Sequence, residues 1–584
     1  MSVNPLSNSG IEQLVTQYST VEYNKAISPL ETRKARFNTL SSTWEDLSSK
    51  LDSFRTILAE LKVATSSSLF KSKKATLSTS DYFTASAGKT ANAGNYSIRV
   101  NQLAKSDLLV SQSLAYTTDT YDVTDMTGKH TIKMKSGDYT SYVDVDFDDT
   151  ENNQTLMQKL STAINTDKAV VKSSTANQSN TFSGTGEFIV NLNGTKKTIS
   201  YDFTNASYSD VANDLKTKIG DNTGITTEID STTGQLKLTV DDSAKYISIE
   251  TSDDIAGIVS FMGINVTKEK AASAISTGSY FSPSTGNTKF SLTADNTGYD
   301  NRLILEDVSG NALGKLGLTS SILNSRTLIT GDDSAGFVYS GNSTTDNQLN
   351  AKLNFNGINI QRNTNSITDL ADGVTFALTS TMKDTVNPVD VTVANDDSTI
   401  TNKIKDFIKQ FNSVYSTIKY NSTTDSTTRG VFVGDATASS LLRNLTTTAI
   451  GKVNGVSDSQ YSRLSRIGIT FDPDSGLTLD NESLLTGSIA DHGSDVEALF
   501  SSTDGVAAKL YSTVNNYVGS TGVIANIRNT YSSSLKYLTD KITSTQTRID
   551  KNSENLRNKY YQMQQQYATM INNQNTLSSF MASS

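Results

Sequence analysis

Residues 28–61 read SPLETRKARFNTLSSTWEDLSSKLDSFRTILAEL, and the fold hangs on this stretch. Its apolar residues fall at Leu30, Phe37, Leu40, Trp44, Leu47, Leu51, Phe54, Leu58 and Leu61. That is an alternation of three and four steps, missed only at Arg33, and it is the pattern of one narrow coiled-coil seam. The start is written locally: Ser28, Pro29 and Glu31 read as an N-cap, a first-turn proline and the far half of a capping box. Such a helix is roughly 50 Å long at 1.5 Å per residue and too thinly apolar for a globular core, so it needs a partner.

The opposite end of the chain supplies a candidate. Leu535, Ile542, Ile549, Leu556, Met563, Met570 and Leu577 recur every seven residues without a break. The companion positions Leu538, Thr545, Asn552, Lys559, Gln566 and Asn573 grow polar, with Tyr560 and Tyr567 filling a neighbouring line. A seam this thin buries little surface, and its distal half is expected to stay disordered until neighbouring chains complete the interface. Two readings of the paired seams stand open: a helix pair within one chain, or an interface between copies.

At 584 residues the chain has room for three or four domains, and 35% hydrophobic content supports real cores. With 51 basic and 60 acidic residues the net charge is −9, which argues against nucleic acid or an anionic membrane as partner. Cysteine is absent, and histidine occurs only at His130 and His492. Thiol chemistry, Cys/His zinc sites and a Ser-His-Asp triad therefore lack their components, and both histidines are expected on the surface. The polar start MSVNPLSNSG carries no signal-peptide pattern and no run is apolar enough to span a membrane, which reads as cytoplasmic. A cysteine-free chain rich in Ser, Thr and Asn reads instead as extracellular, and only export without a cleaved signal reconciles the two.

Between the seams the text changes. Alternation of period two begins at Tyr96, Ile98 and Val100 and dominates to about Val393. Asn356-Gly357 and Asn193-Gly194 sit between alternating apolar pairs as hairpin turns. The stretch beginning TGKHTIKMKSGDY at Thr127 parallels the one beginning TGEFIVNLNGTKK at Thr185: each reads strand, turn, strand, short helix. Helical spacing returns at Ile404, Ile408, Phe411, Val414, Tyr415 and Ile418, then in GVFVGDATASSLLRNL (430–445) and from Asp480 to Phe500, with a hairpin at 467–479 between. The fold class is therefore α+β and multidomain: long terminal coiled-coil helices and a helical framework built from both chain ends, with β-rich domains inserted.

Candidate chemical sites are few. Asp144, Asp146, Asp148 and Asp149 invite a calcium reading, but an EF-hand needs glycine at the sixth position and glutamate at the twelfth, where Asp149 and Thr155 stand. Val143, Val145 and Phe147 alternate with them, so the aspartates read as a strand's outer face. Asp472 and Asp474 belong to a Pro-Gly turn, and Lys71, Lys73 and Lys74 to a linker. No phosphate-cradling glycine loop and no nucleophile elbow occurs.

The 28–61 helix, the strand motif AGNYSIRVNQLAKSDLLVSQSL, the run FNGINIQRNTNSITDLADGVTFAL, the segment VFVGDATASSLLRNL, the hairpin SRIGITFDPDSGLTLD and the block VEALFSSTDGVAAKL together resemble the bacterial flagellar filament-capping family, hook-associated protein 2. The resemblance covers about residues 10–110 and 340–580. It implies a homo-oligomeric ring at the filament tip under which exported flagellin folds and inserts. It also implies contact with the hook–filament junction protein, an export chaperone in the cytoplasm, and secretion through the flagellar export apparatus with the N-terminus uncleaved. It implies no enzyme activity, no cofactor, no metal, no nucleic acid and no membrane insertion. By that family's plan residues 1–39 and 531–584 form the coil, 40–72 and 396–530 a helical leg, 73–125 and 336–395 an inner β head, and 126–335 an outer head. The interface would then use Leu30, Phe37, Leu40, Trp44, Leu47 and Leu51 on one seam and Ile542, Ile549, Leu556, Met563, Met570 and Leu577 on the other. A reading from another class is a surface adhesin with β modules on a coiled stalk; the clustered exposed aromatics of a glycan site are not written, since the sole tryptophan, Trp44, lies in the helical seam.

Overall fold

The computed structural model describes residues 7–116, 126–148, 151–174, 180–220, 224–345, 347–424, 429–454, 456 and 459–582. The chain divides into two compact units, one of residues 1–74, 88–90 and 394–584, the other of 75–87 and 91–393.

The first unit is helical. The 28–61 stretch is a helix, Ser28–Leu61, that buries Leu40, Trp44, Leu47, Leu51, Phe54, Leu58 and Leu61. Opposite them, helix Asp397–Ser422 turns in Ile404, Phe407, Phe411, Val414 and Ile418. Phe54 lies between Phe407 and Phe411, with ring centroids 5.7 and 6.0 Å away. Each large side chain buried in this way contributes about 1.5–3 kcal/mol. Helices Ala436–Ile450, Glu482–Ser501 and Val506–Val518 close the same core, and the hairpin Ile469–Asp472 and Gly476–Leu479 adds Ile469 and Leu477. Local sequence sets the ends: Asp396 accepts from the Thr399 N–H, and Asp435 from those of Thr437 and Ala438. Helix 482–501 kinks at His492, whose φ of −132° and ψ of 38° are non-helical and whose ring stacks on Tyr461 at 4.4 Å.

The reading of the first helix start needs correction. A separate helix, Asn8–Ala26, precedes it, capped by Ser7. Ile27 is the junction, and its carbonyl accepts from the N–H groups of Leu30 and Glu31. Ser28 therefore makes no side-chain cap, and Glu31 accepts from the Tyr23 hydroxyl instead, at 2.7 Å. The earlier helix escaped notice because only Gly10, Ile11 and Val15 of it are buried, too few to mark a period.

The second unit holds three separate cores. In the first, strands Val389–Asn395, Gly94–Gln102, Ala351–Phe355 and Ile358–Arg362 lie side by side in that order. Asn356 and Gly357 turn the last pair with φ of 51° and 87°, the positive values a two-residue hairpin demands. Asn193 and Gly194 do the same between Thr181–Leu192 and Thr195–Ser207.

The repeat is present and extends further than its sequence signal. Hairpin Gly128–Ser136 and Tyr139–Phe147 leads to helix Asn153–Thr166, as hairpin 181–207 leads to helix Tyr208–Ile219. Each copy then adds a third strand beside its first: Ile304–Ser309 on Gly128–Ser136, and Tyr246–Glu250 on Thr181–Leu192. A short helix follows each, Ala312–Lys315 and Ile258–Met262. The second module is inserted into the first, and Lys268–Lys270 joins them into one seven-stranded sheet.

Val143, Val145 and Phe147 are buried, and Asp144 lies on the other face, where it pairs with Lys129 at 2.9 Å and Lys172 at 3.1 Å. Asp149 lies outside the described residues. His130 was expected on the surface; it is 2% exposed. Its ring lies near the Met126 carbonyl at 2.9 Å through Nε2 and accepts the Asn311 N–H through Nδ1 at 3.1 Å. Its strand position explains this, since it shares the inward face with Ile132 and Met134.

Candidate assembly surface

Helix Val523–Ala582 is 60 residues long, about 90 Å at 1.5 Å per residue. Its proximal part is embedded: Ile524, Leu538, Thr545, Ile549 and Ser553 are buried. Small residues at 545 and 553 let a neighbouring backbone approach, and the neighbour is the antiparallel helix Asn8–Ala26 of the same chain. Ser553 and Ser19 hydroxyls lie 2.7 Å apart. Arg557 grips Glu12 with two parallel bonds of 2.8 and 3.0 Å, joined by the Tyr561 hydroxyl at 3.2 Å. Those contacts, the Arg557 hydrogen bond first, hold the Glu12 carboxyl below its ordinary range. Gln564 reaches Asn8 at 3.1 Å.

The residues assigned to the first seam separate into two groups. Leu40, Trp44, Leu47 and Leu51 are buried in the core of the helical unit, Trp44 against Phe432 at 4.8 Å, so within this chain their contacts are intramolecular. Leu30 and Phe37 are half-buried, with Phe37 beside Tyr531 at 5.7 Å. On the second seam Ile549 is buried and Ile542 and Leu556 are half-buried. Met563, Met570 and Leu577 remain open, 46%, 65% and 65% exposed. The distal half, expected to order only with neighbours, is helical through Ala582, since an α-helix satisfies its own backbone hydrogen bonds.

The heptad count missed part of this surface. Tyr567 and Met581 are exposed too, and at 100° per residue they fall within about 40° of Met563, as do Met570 and Leu577. Phe580 and Ile571 flank the stripe. From Tyr560 to Ser584 there is no charged residue, which was readable in the sequence and is the missed signal. A bare apolar stripe on an uncharged helix, with no ion pairs to support it, is a surface shaped for burial against something else. Among the described residues no group of three His, Asp or Glu side chains could hold a metal, and no helix is long and apolar enough to cross a membrane.

Two family profiles match this framework: "Flagellar hook-associated protein 2 N-terminus" over residues 7–107 and "Flagellar hook-associated protein 2 C-terminus" over residues 349–572. The chain belongs to the flagellar hook-associated protein 2 family. Helices 8–26, 28–61, 397–422 and most of helix 523–582 fall in the matched spans, whereas the nested modules lie between them. Flagellar hook-associated protein 2 of Salmonella typhimurium is 29% identical over 244 residues, 40% of this chain and 50% of that protein. That of Escherichia coli O157:H7 is 26% identical over 332 residues, 54% of this chain and 66% of that protein. The chain thus spans about half to two thirds of the curated relatives it matches. A solved structure of the flagellar cap protein FliD D1-D2-D3 domains from Escherichia coli aligns at 20% identity and a TM-score of 0.45, over 84% of this chain and 99% of that one.

Proposed function

We propose that this protein caps the distal end of the bacterial flagellar filament as a homo-oligomeric ring and promotes folding and insertion of exported flagellin. Family membership supports the reading, and one observation carries it: the apolar stripe of Met563, Tyr567, Met570 and Leu577 that the chain leaves uncovered. In this reading the stripe meets neighbouring copies and the filament end, and the half-buried Leu30, Phe37, Ile542 and Leu556 extend the interface along the coil. The hook–filament junction protein is the first platform, a cytoplasmic chaperone shields the stripe before export, and the protein leaves through the flagellar export apparatus. The role is structural and needs no cofactor. The adhesin alternative finds no support in the family.

The test is filament growth. Met563→Asp and Met570→Asp place a carboxylate where an apolar contact must form, at a cost of several kcal/mol per buried unpaired charge. Cells carrying either variant are expected to export the protein yet release flagellin as monomer and build few or no filaments. Asn552→Asp and Lys559→Asp, at exposed polar positions, serve as controls with near-normal filaments. Normal filaments in both stripe variants would refute the assignment.

A further inference from the structure

The nested modules enclose a polar cleft of about 690 Å³. One wall is the face of hairpin 128–147 that points away from its own core, carrying Lys129, Thr131 and Asp144. The other is the outward face of strands Val170–Lys172 and Leu236–Val240, carrying Lys172, Lys237 and Thr239. Val170 and Ala163 are the aliphatic residues along the cleft and the Tyr139 and Tyr246 rings lie 5.6 Å apart beside it, but charged and hydroxyl groups make up most of the lining, so burial supplies only a small part of the hold between the modules. The backbone join is equally slight. Strand Lys268–Lys270 pairs Lys268 with Tyr139 and Glu269 with Thr140 on one side, Lys270 with Tyr246 and Ile247 with Glu269 on the other.

At the middle of this short strand stands a carboxyl that is 1% exposed. Glu269 accepts hydrogen bonds from the Asn265 amide at 2.7 Å and from the Thr267 hydroxyl, both on its own segment. Among the described residues no cation forms an ion pair with it. Of the charges that face it, Asp167, at the end of helix 153–166, repels its ionised form, and Lys133 on the hairpin attracts it. Across the cleft, Lys129 and Lys172 are committed to Asp144 and Lys237 to Glu228, while Lys168 lies exposed at the mouth. On its own strand Lys268 and Lys270 lie over the Tyr246 and Tyr139 rings at 5.8 and 5.0 Å.

We propose that strand Lys268–Lys270 is a pH-gated joint between the nested modules, closed while Glu269 carries its proton and loosened when it ionises. Burial, the Asp167 charge adding to it, pushes the Glu269 carboxyl from 4.5 up to about 7 against the Thr267 hydrogen bond and Lys133. A carboxyl raised in the closed state binds protons there that it loses on opening. The closed state therefore weakens as the pH rises from the open-state value through about 7, and no further above it.

Hydrogen exchange of the full chain, corrected for the intrinsic rate at each pH, reads this directly. Between pH 5 and pH 8 the amides of 268–270, 139–140 and 246–247 are expected to lose protection more than tenfold, while those of hairpin 181–207 keep theirs. Glu269→Gln, which keeps the shape and stays neutral, is expected to abolish the loss. Asp167→Asn, which removes the repelling charge, is expected to shrink it. Equal protection of the joint at both pH values in the native chain would overturn the proposal, as would a native-sized loss in Glu269→Gln. Should that variant fold poorly, an undiminished loss in Asp167→Asn overturns it equally.

Discussion

His130 joins the start of its own strand and the adjoining hairpin strand to a segment about 180 residues further along the chain. Its Nδ1 takes the Asn311 N–H and its Nε2 faces the Met126 carbonyl, while Phe147 lies edge-on at 5.3 Å. Alanine there leaves a buried donor and acceptor unmatched, each worth about 1–3 kcal/mol, and opens a void beside Phe147. His130→Ala is therefore expected to destabilise the module built on hairpin 128–147 by about 2–4 kcal/mol. The sole tryptophan makes the measurement selective: Trp44 fluorescence follows the leg, and the tyrosine signal the whole chain. Urea unfolding of His130→Ala should move the tyrosine transition and leave the tryptophan one in place, and His492→Ala, at a 42% exposed side chain, should move neither by much. A silent His130→Ala would show that the buried ring is dispensable. The alternation of His130 with Ile132 and Met134 marks it as inward-facing, whereas the ring beneath His492, Tyr461, is brought there by the fold.

At the scale of elements, the terminal helix pair is the contact that folds the coil back on itself. Ile549 is 1% exposed on the stretch where helix 523–582 meets helix 8–26. A carboxylate in that position cannot be solvated without parting the helices, at a cost of several kcal/mol, more than so small an interface can absorb. Ile549→Asp is expected to abolish amide protection over residues 8–26 and leave helix 397–422 unchanged. Retained protection over 8–26 would mean that the pairing does not depend on this side chain. Elements with local causes were legible: the two Asn-Gly turns and the helix spacing from Ile404 to Ile418. The helix 8–26 was not, because it buries only Gly10, Ile11 and Val15 and many of its contacts with the C-terminal helix are polar, Glu12 to Arg557 and Ser19 to Ser553 among them, so no apolar period of its own marks it.

For the whole molecule, the two seams part company. The length of the first from Leu40 to Leu61 is spent on the core of the helical unit, and the outer length of the C-terminal helix leaves Met563, Tyr567, Met570 and Leu577 exposed. The heptads on both termini were plain in the sequence; which of them the chain would cover itself was not, since that depends on helices 397–422 and 506–518 arriving opposite them. The nested modules tell a similar story. Their hairpin–helix halves were legible as a repeat, but the third strand of the first copy, Ile304–Ser309, comes only after the second copy has intervened. The account rests on the free stripe joining copies, and native mass spectrometry of the purified full chain tests that most directly. It predicts a discrete multiple of the chain mass for the native sequence and the monomer mass for the double variant Met563→Asp, Met570→Asp. A monomeric native chain, or a double variant that assembles as the native chain does, would contradict it.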